Sequence, residues 1–206
     1  MDKASSSLQA LASQGIQRTY RKGAVLITEG DVGDSLYIIL TGRLRAFSVS
    51  ADDREITFGE YGPGEYVGEL GLDGGQRSAN VEAAERTTVS LVTRQTLEKH
   101  LSQDPRFAFE LIEKLIFRVR RLTHTARDLA LNDVYGRLAN LLNRLAVEQS
   151  DETRLTPEPM THEQIARQLG CSRAMITRLL NDLNRNGCLI QENHRYRLLR
   201  QLPPKW

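Results

Sequence analysis

Cysteine is scarce in this chain, with two thiols, Cys171 and Cys188, in 206 residues. That number and spacing suit neither a disulfide scaffold nor a zinc or iron–sulfur centre, so both are expected to be plain thiols. Long apolar runs are missing too. No window approaches the roughly eighteen apolar residues of a membrane helix, and the opening MDKASSSLQA has neither the apolar core nor the cleavage pattern of a signal peptide. A cytoplasmic protein with no membrane partner is therefore expected. Catalytic signatures are absent as well. There is no G-x-S-x-G elbow and no metal-spaced His/Cys cluster, and the glycine-rich stretch at 68–75 lacks the lysine of a Walker loop. A non-enzyme is expected.

What is present is ordinary in bulk and uneven in distribution. Hydrophobic residues make up 40 % and charged residues 26 %, enough to bury a core, and the length suits two domains. The net charge of +2 divides by position: residues 1–136 carry 17 Lys+Arg against 19 Asp+Glu, and residues 137–206 carry 11 against 7. The basic excess lies in the C-terminal third. That polarity suits a part that meets phosphates, because Lys and Arg neutralise backbone charge and release counterions, although a modest bias is also what a solvated face carries.

From about Tyr20 to Thr96, short runs such as AVLITEG, SLYIILTG, RLRAFSV and TTVSLV are separated by Gly and Asp. β-branched and aromatic runs at this spacing predict an antiparallel sandwich or barrel, with no helix inside it. Helical texture follows Thr96. Ala108, Ile112, Leu115, Val119, Leu122, Ala126 and Leu129 alternate at four- and three-residue steps, a narrow stripe on one long helix that suits a two-stranded coiled coil. The alternative is that the stripe packs only on its own β-domain. Asp133 reads as the N-cap of a second helix, VYGRLANLLNRLAVE, which puts a hinge near Leu131 to Asp133. QSDETRLTPEPM reads as a polar linker.

The strongest local signal is THEQIARQLGCSRAMITRLLNDLNRNG. Thr161 and Gln164 form a capping box, with Met160 available as a hydrophobic staple. Ala166 is small enough for a close helix crossing, Gly170 suits a left-handed turn, and Ile176 and Leu179 fall on the buried side of the next helix. This is the spacing of a helix-turn-helix. Ser172 caps the second helix, and Arg173, Ala174, Thr177 and Arg178 face outward near its start. A guanidinium fork matches O6 and N7 of guanine, so Arg173 and Arg178 are the base-reading candidates. Gln168, Ser172, Thr177 and Arg185 suit phosphate contacts. CLIQENHRYRLL reads as a wing hairpin turning around Glu192 to His194, with Arg195 and Arg197 near the DNA backbone.

GELGLDGGQRSANV at 68–81 and LGCSRAMITRLL at 169–180 resemble the cyclic-AMP receptor protein and fumarate-nitrate regulator (Crp/Fnr) family of bacterial transcription factors, and the likeness runs from about Tyr20 to Leu199. The resemblance implies an α+β chain in three parts. These are a cyclic-nucleotide-binding β-roll over 1–104, a dimerisation helix and hinge over 105–132, and a winged helix-turn-helix over 133–206. It implies that Glu69 accepts from a ribose 2′-hydroxyl, that Arg77 and Ser78 hold a cyclic phosphate, and that backbone amides near Gly68, Leu70 and Ala79 complete the cradle. Thr123 would face the base. A homodimer on an inverted-repeat DNA operator, RNA polymerase as protein partner and cyclic AMP or a related nucleotide as effector follow from the same likeness.

The chain departs from the pattern in places. The stretch from Glu69 to Arg77 is short, Leu122 replaces one of two hydroxyl residues facing the base, and Ala174 stands where a cytosine-reading glutamate is usual. The cysteine cluster of the oxygen-sensing branch is absent. His100, His124, His162 and His194 are scattered outside the β-segment, which does not favour haem. Two readings stay open: a regulator gated by a cyclic nucleotide, and one that answers another small molecule or none.

Overall fold

The computed structural model describes residues 5–51, 55–150 and 153–203. The chain forms two compact units, Met1–Ser48 with Thr57–Val119 and Val49–Ile56 with Arg120–Trp206.

The first unit opens with α1 (Ser6–Ser13), followed by β1 (Ile16–Tyr20), β2 (Val25–Ile27), β3 (Ser35–Thr41), β4 (Leu44–Val49), β5 (Glu55–Tyr61), β6 (Tyr66–Val67), β7 (Asn80–Ala83) and β8 (Thr87–Thr93). Two four-stranded sheets result, ordered β1-β8-β3-β6 and β2-β7-β4-β5. Strand alternation sorts the side chains between two cores. Tyr37, Ile39 and Val67 join Leu44, Ala46, Val81 and Val89 between the sheets. Leu36, Ile38 and Tyr66 face the other way, onto Leu8 and Leu11 of α1, Leu97 of α2 (Arg94–Gln103) and Phe107 of α3 (Arg106–Leu131). Each fully buried leucine in these clusters contributes about 1.5–3 kcal/mol.

Two elements of this first unit were not expected. α1, which precedes the β-region, is capped by Ser5, whose side chain accepts from Leu8 N. A 3-10 turn, Glu69–Gly71, interrupts the stretch expected to hold no helix. Gly68 makes that turn possible: its φ is +91°, and a Cβ there would lie 2.7 Å from Ser35 O.

The second unit contains α4 (Val134–Leu145), β9 (Val147–Glu148), β10 (Arg154–Leu155), α5 (His162–Leu169), α6 (Arg173–Arg185), β11 (Leu189–Glu192) and β12 (Arg195–Leu198). α3 ends at Leu131, and Asp133 caps α4 through Gly136 N. α4 stops three residues short of the expected Glu148, because the expected linker supplies β10, which pairs with β9 and β12. Thr156 fixes that pairing. It is fully buried, with its N–H donating to Tyr196 O and its hydroxyl accepting from Tyr196 N. The core gathers Leu138 and Leu142 of α4, Ile165 and Ala166 of α5, Ile176, Leu180 and Leu183 of α6, and Tyr196.

Along α3 the stripe is largely uncovered in the single chain: Ile112, Val119 and Leu122 are 49, 60 and 46 % exposed. Leu115 is half-buried, and the side chain of Leu129 lies outside the described residues. Phe109, Ile116 and Phe117 are also exposed, so the apolar face is wider than a two-position seam. Among the described residues no helix is long and apolar enough to cross a membrane.

Candidate functional site

The first site is the turn between β6 and β7. Arg77 lies just before β7, only 7 % exposed. Its Nη1 donates to Gly68 O at 2.7 Å and its Nη2 to Ser35 O at 3.1 Å. Backbone bonds from Gly30 N to Arg77 O and from Arg77 N to Asp31 O hold it in place. Glycines make the room. A Cβ on Gly33, Gly68 or Gly71 would come within 2.9, 3.0 and 2.7 Å of guanidinium nitrogens. Among the described residues no carboxylate pairs with Arg77. A buried guanidinium bonded only to neutral carbonyls is poorly compensated, which is the electrostatics of an anion site.

Glu69 sits one residue after Gly68, and its carboxylate pairs with Arg118 of α3 at 2.5 Å, both side chains 13 % exposed. Arg118 also donates to Tyr66 O and lies over the rings of Tyr61 and Tyr66, 4.7 and 4.9 Å from their centroids. Burial works against the charge of Arg118, yet the Glu69 carboxylate holds its pKa above the usual value. Burial also pushes the Tyr66 phenol up to about 12, so it stays protonated at neutral pH. Ser78 and Leu70 are exposed, and Ala79 is half-buried. Thr123 lies on an exposed stretch of α3 in the second unit. The turn thus gathers Gly68, Glu69 and Arg77.

The sequence alone gives Arg118 no role beyond its place beside the apolar stripe. The signal was there: Lys114, Leu115, Arg121 and Leu122, its neighbours at three and four residues, include no acid, so its countercharge must come from outside the helix. Glu69→Gln should leave Arg118 with a weaker partner and lower the unfolding free energy by about 1–3 kcal/mol. A urea midpoint unchanged from wild type would show that the pair contributes nothing.

The second site is the outer face of α6. Thr161 and Gln164 make the expected capping box, Gly170 takes φ +63°, and the Ser172 side chain accepts from Met175 N. Thus fixed, α6 buries Ile176, Leu180 and Leu183. Opposite them, Arg173, Ala174, Thr177, Arg178, Asn181, Asp182 and Arg185 line one open concavity. Arg173, Arg178 and Arg185 are exposed, and among the described residues none has a carboxylate partner. Gln168 and Ser172 are exposed beside them. Thr177 differs: its hydroxyl bonds His162 Nδ1 at 2.9 Å and ties α6 to α5.

The wing forms where it was expected, with Asn193 and His194 at positive φ. Its arginines are held inside the unit. Arg195 donates to Thr156 O, and Arg197 makes a two-pronged contact with Glu192 at 2.8 and 3.2 Å.

Known proteins match the regions that carry these two sites. Residues 17–104 fit the cyclic nucleotide-binding domain family, and residues 136–201 the Crp-like helix-turn-helix domain family. The cAMP-activated global transcriptional regulator Vfr of Pseudomonas aeruginosa is 31 % identical over 189 residues, 87 % of each chain. The CRP-like cAMP-activated global transcriptional regulator of Mycobacterium tuberculosis is 29 % identical over 187 residues, 88 % of this chain and 83 % of that one. Among solved structures, the c-di-GMP responsive global regulator CLP of Xanthomonas campestris aligns with a TM-score of 0.79 at 26 % identity, over 93 % of this chain and 97 % of that one. With a cyclic nucleotide-binding domain ahead of a Crp-like helix-turn-helix, and relatives of this identity along most of its length, the chain belongs to the Crp/Fnr family of DNA-binding transcription regulators.

Proposed function

We propose that this regulator is gated by a cyclic nucleotide whose phosphate is held at Arg77. The observation that carries the reading is the buried Arg77 guanidinium, which has two neutral carbonyl partners and no carboxylate among the described residues. A phosphate monoanion supplies the missing countercharge through a charge-assisted bond. Ser78 and the amides of Leu70 and Ala79 add donors, and Glu69 accepts from a ribose hydroxyl with the lone pairs Arg118 leaves free. Cyclic AMP is the first ligand to test, because two of the relatives are cAMP-activated; c-di-GMP is the second, because the CLP regulator responds to it. Calorimetry on nucleotide-stripped protein decides. Binding of neither nucleotide would leave a regulator that answers another small molecule or none.

On DNA, Arg173 and Arg178 read guanines, while Gln168, Ser172, Thr177 and Arg185 position α6 on phosphates. The wing arginines are left out of this set because their bonds within the unit engage them. The working form is a homodimer joined along α3, so the operator is an inverted repeat with half-sites roughly 34–36 Å apart. RNA polymerase is the protein partner. Arg178→Ala should cost about 1–3 kcal/mol per half-site on the preferred sequence and relax one base pair, with random DNA affected much less. Arg185→Ala should weaken both alike and flatten the salt dependence. A salt titration on selected and scrambled duplexes separates them; equal losses for Arg178→Ala on both duplexes would make it a phosphate contact.

A further inference from the structure

Two residues on the outer face of α6 have no role in the reading so far. Asn181 and Asp182 sit between Arg178 and Arg185 and line the same concavity. Both are poor helix formers at interior helix positions. Asn181 is exposed, and among the described residues its carboxamide makes no hydrogen bond that would offset that cost. The nearby polar side chains are otherwise occupied or of another kind: Thr177 is bonded to His162, Ala174 carries no polar atom, and Arg178 and Arg185 can only donate. A local preference broken on an exposed face with no local gain marks a residue kept for a contact outside the chain.

We infer that Asn181 is a base-reading residue that recognises an adenine, a contact that rests on α6 lying in the major groove. A carboxamide offers a donor and an acceptor side by side, the complement of adenine N7 and N6. Asn181 is three residues beyond Arg178 and four before Arg185, so it shares their face and lies farther along the groove. The neighbouring Asp182 carboxylate disfavours a phosphate at this point, because two anions there would repel. The A·T pair therefore falls on the side of the Arg178 guanine reached by the C-terminal half of α6.

The experiment is selection from a randomised duplex library with the full chain, run without effector, with cyclic AMP and with c-di-GMP. Wild type and Asn181→Ala are compared. Alanine strengthens the helix, so a loss cannot come from unfolding. Wild type should enrich an adenine in each half-site that Asn181→Ala no longer selects. Replacing that adenine by 7-deaza-adenine should weaken wild type about tenfold and the variant less than threefold. An identical selected sequence and affinity for the variant would overturn the assignment, as would an equal loss on every duplex, the mark of a phosphate contact. Failure of wild type to enrich any sequence in all three conditions would instead strike the base-reading role of α6 as a whole, and this assignment with it.

Discussion

Replacing Arg77 by leucine is expected to take cyclic-nucleotide binding below detection. Truncating one side of a buried charged contact costs about 2–5 kcal/mol, a loss between roughly thirtyfold and several thousandfold in affinity. Leucine also cannot donate to Gly68 O and Ser35 O, so the turn at Gly68 loses a brace at the moment the phosphate loses its countercharge. Two controls separate these effects. Arg77→Lys keeps the charge and gives up the fork, and should bind with intermediate affinity. Far-ultraviolet circular dichroism and binding to random DNA should stay near wild type for both variants, because α6 and its core are built from other residues. Calorimetry that finds leucine binding as tightly as arginine would remove Arg77 from the site and favour the nucleotide-independent reading.

Placing aspartate at both Val119 and Leu122 is expected to convert a dimer into monomers. In the single chain these residues are 60 and 46 % exposed, so charges there cost the isolated fold little. In a paired seam two copies would each bury two carboxylates without partners, a penalty of several kcal/mol per ion. Leu115 is a poorer choice, being half-buried in its own chain, where a charge would confuse unfolding with dissociation. Sedimentation at micromolar concentration reads the result, and operator affinity should fall with it. Dimers that persist would move the interface off this stripe.

Both experiments address features that were unequally visible in the sequence. The helix-turn-helix was legible to the residue because it is written locally. A capping box, a left-handed glycine and a second cap, at Thr161, Gly170 and Ser172, fix two helices within a dozen residues, and all three take the expected conformations. The strands were legible as a set, since β-branched alternation shows a face without showing the partner strand. β9 was hidden at the end of an expected helix and β10 inside a polar stretch, because what holds β10 is Tyr196, some forty residues away. Arg118 was half-hidden: the lack of an acid three or four residues away points to a partner off the helix, but nothing local says that the partner is Glu69. The wing arginines show the reverse limit of reading residue type. Their type suggested DNA, and Thr156 and Glu192 hold them within the unit.

The split personality of α6 bears on how such a regulator can acquire new target sequences. Ile176, Leu180 and Leu183 hold the helix to its unit, while Arg173, Ala174, Arg178, Asn181 and Arg185 lie on the opposite, exposed side. Drift on the outer side should therefore have little effect on folding, and if α6 reads DNA as proposed, a lineage could rewrite its operators by exchanging a few surface residues. Thr177 is the exception. Its side chain lines the same concavity while its hydroxyl bonds His162, so change there would perturb the fold as well as the proposed DNA contact. Among duplicated copies of such a gene, divergence should gather on either side of position 177 and spare the position itself.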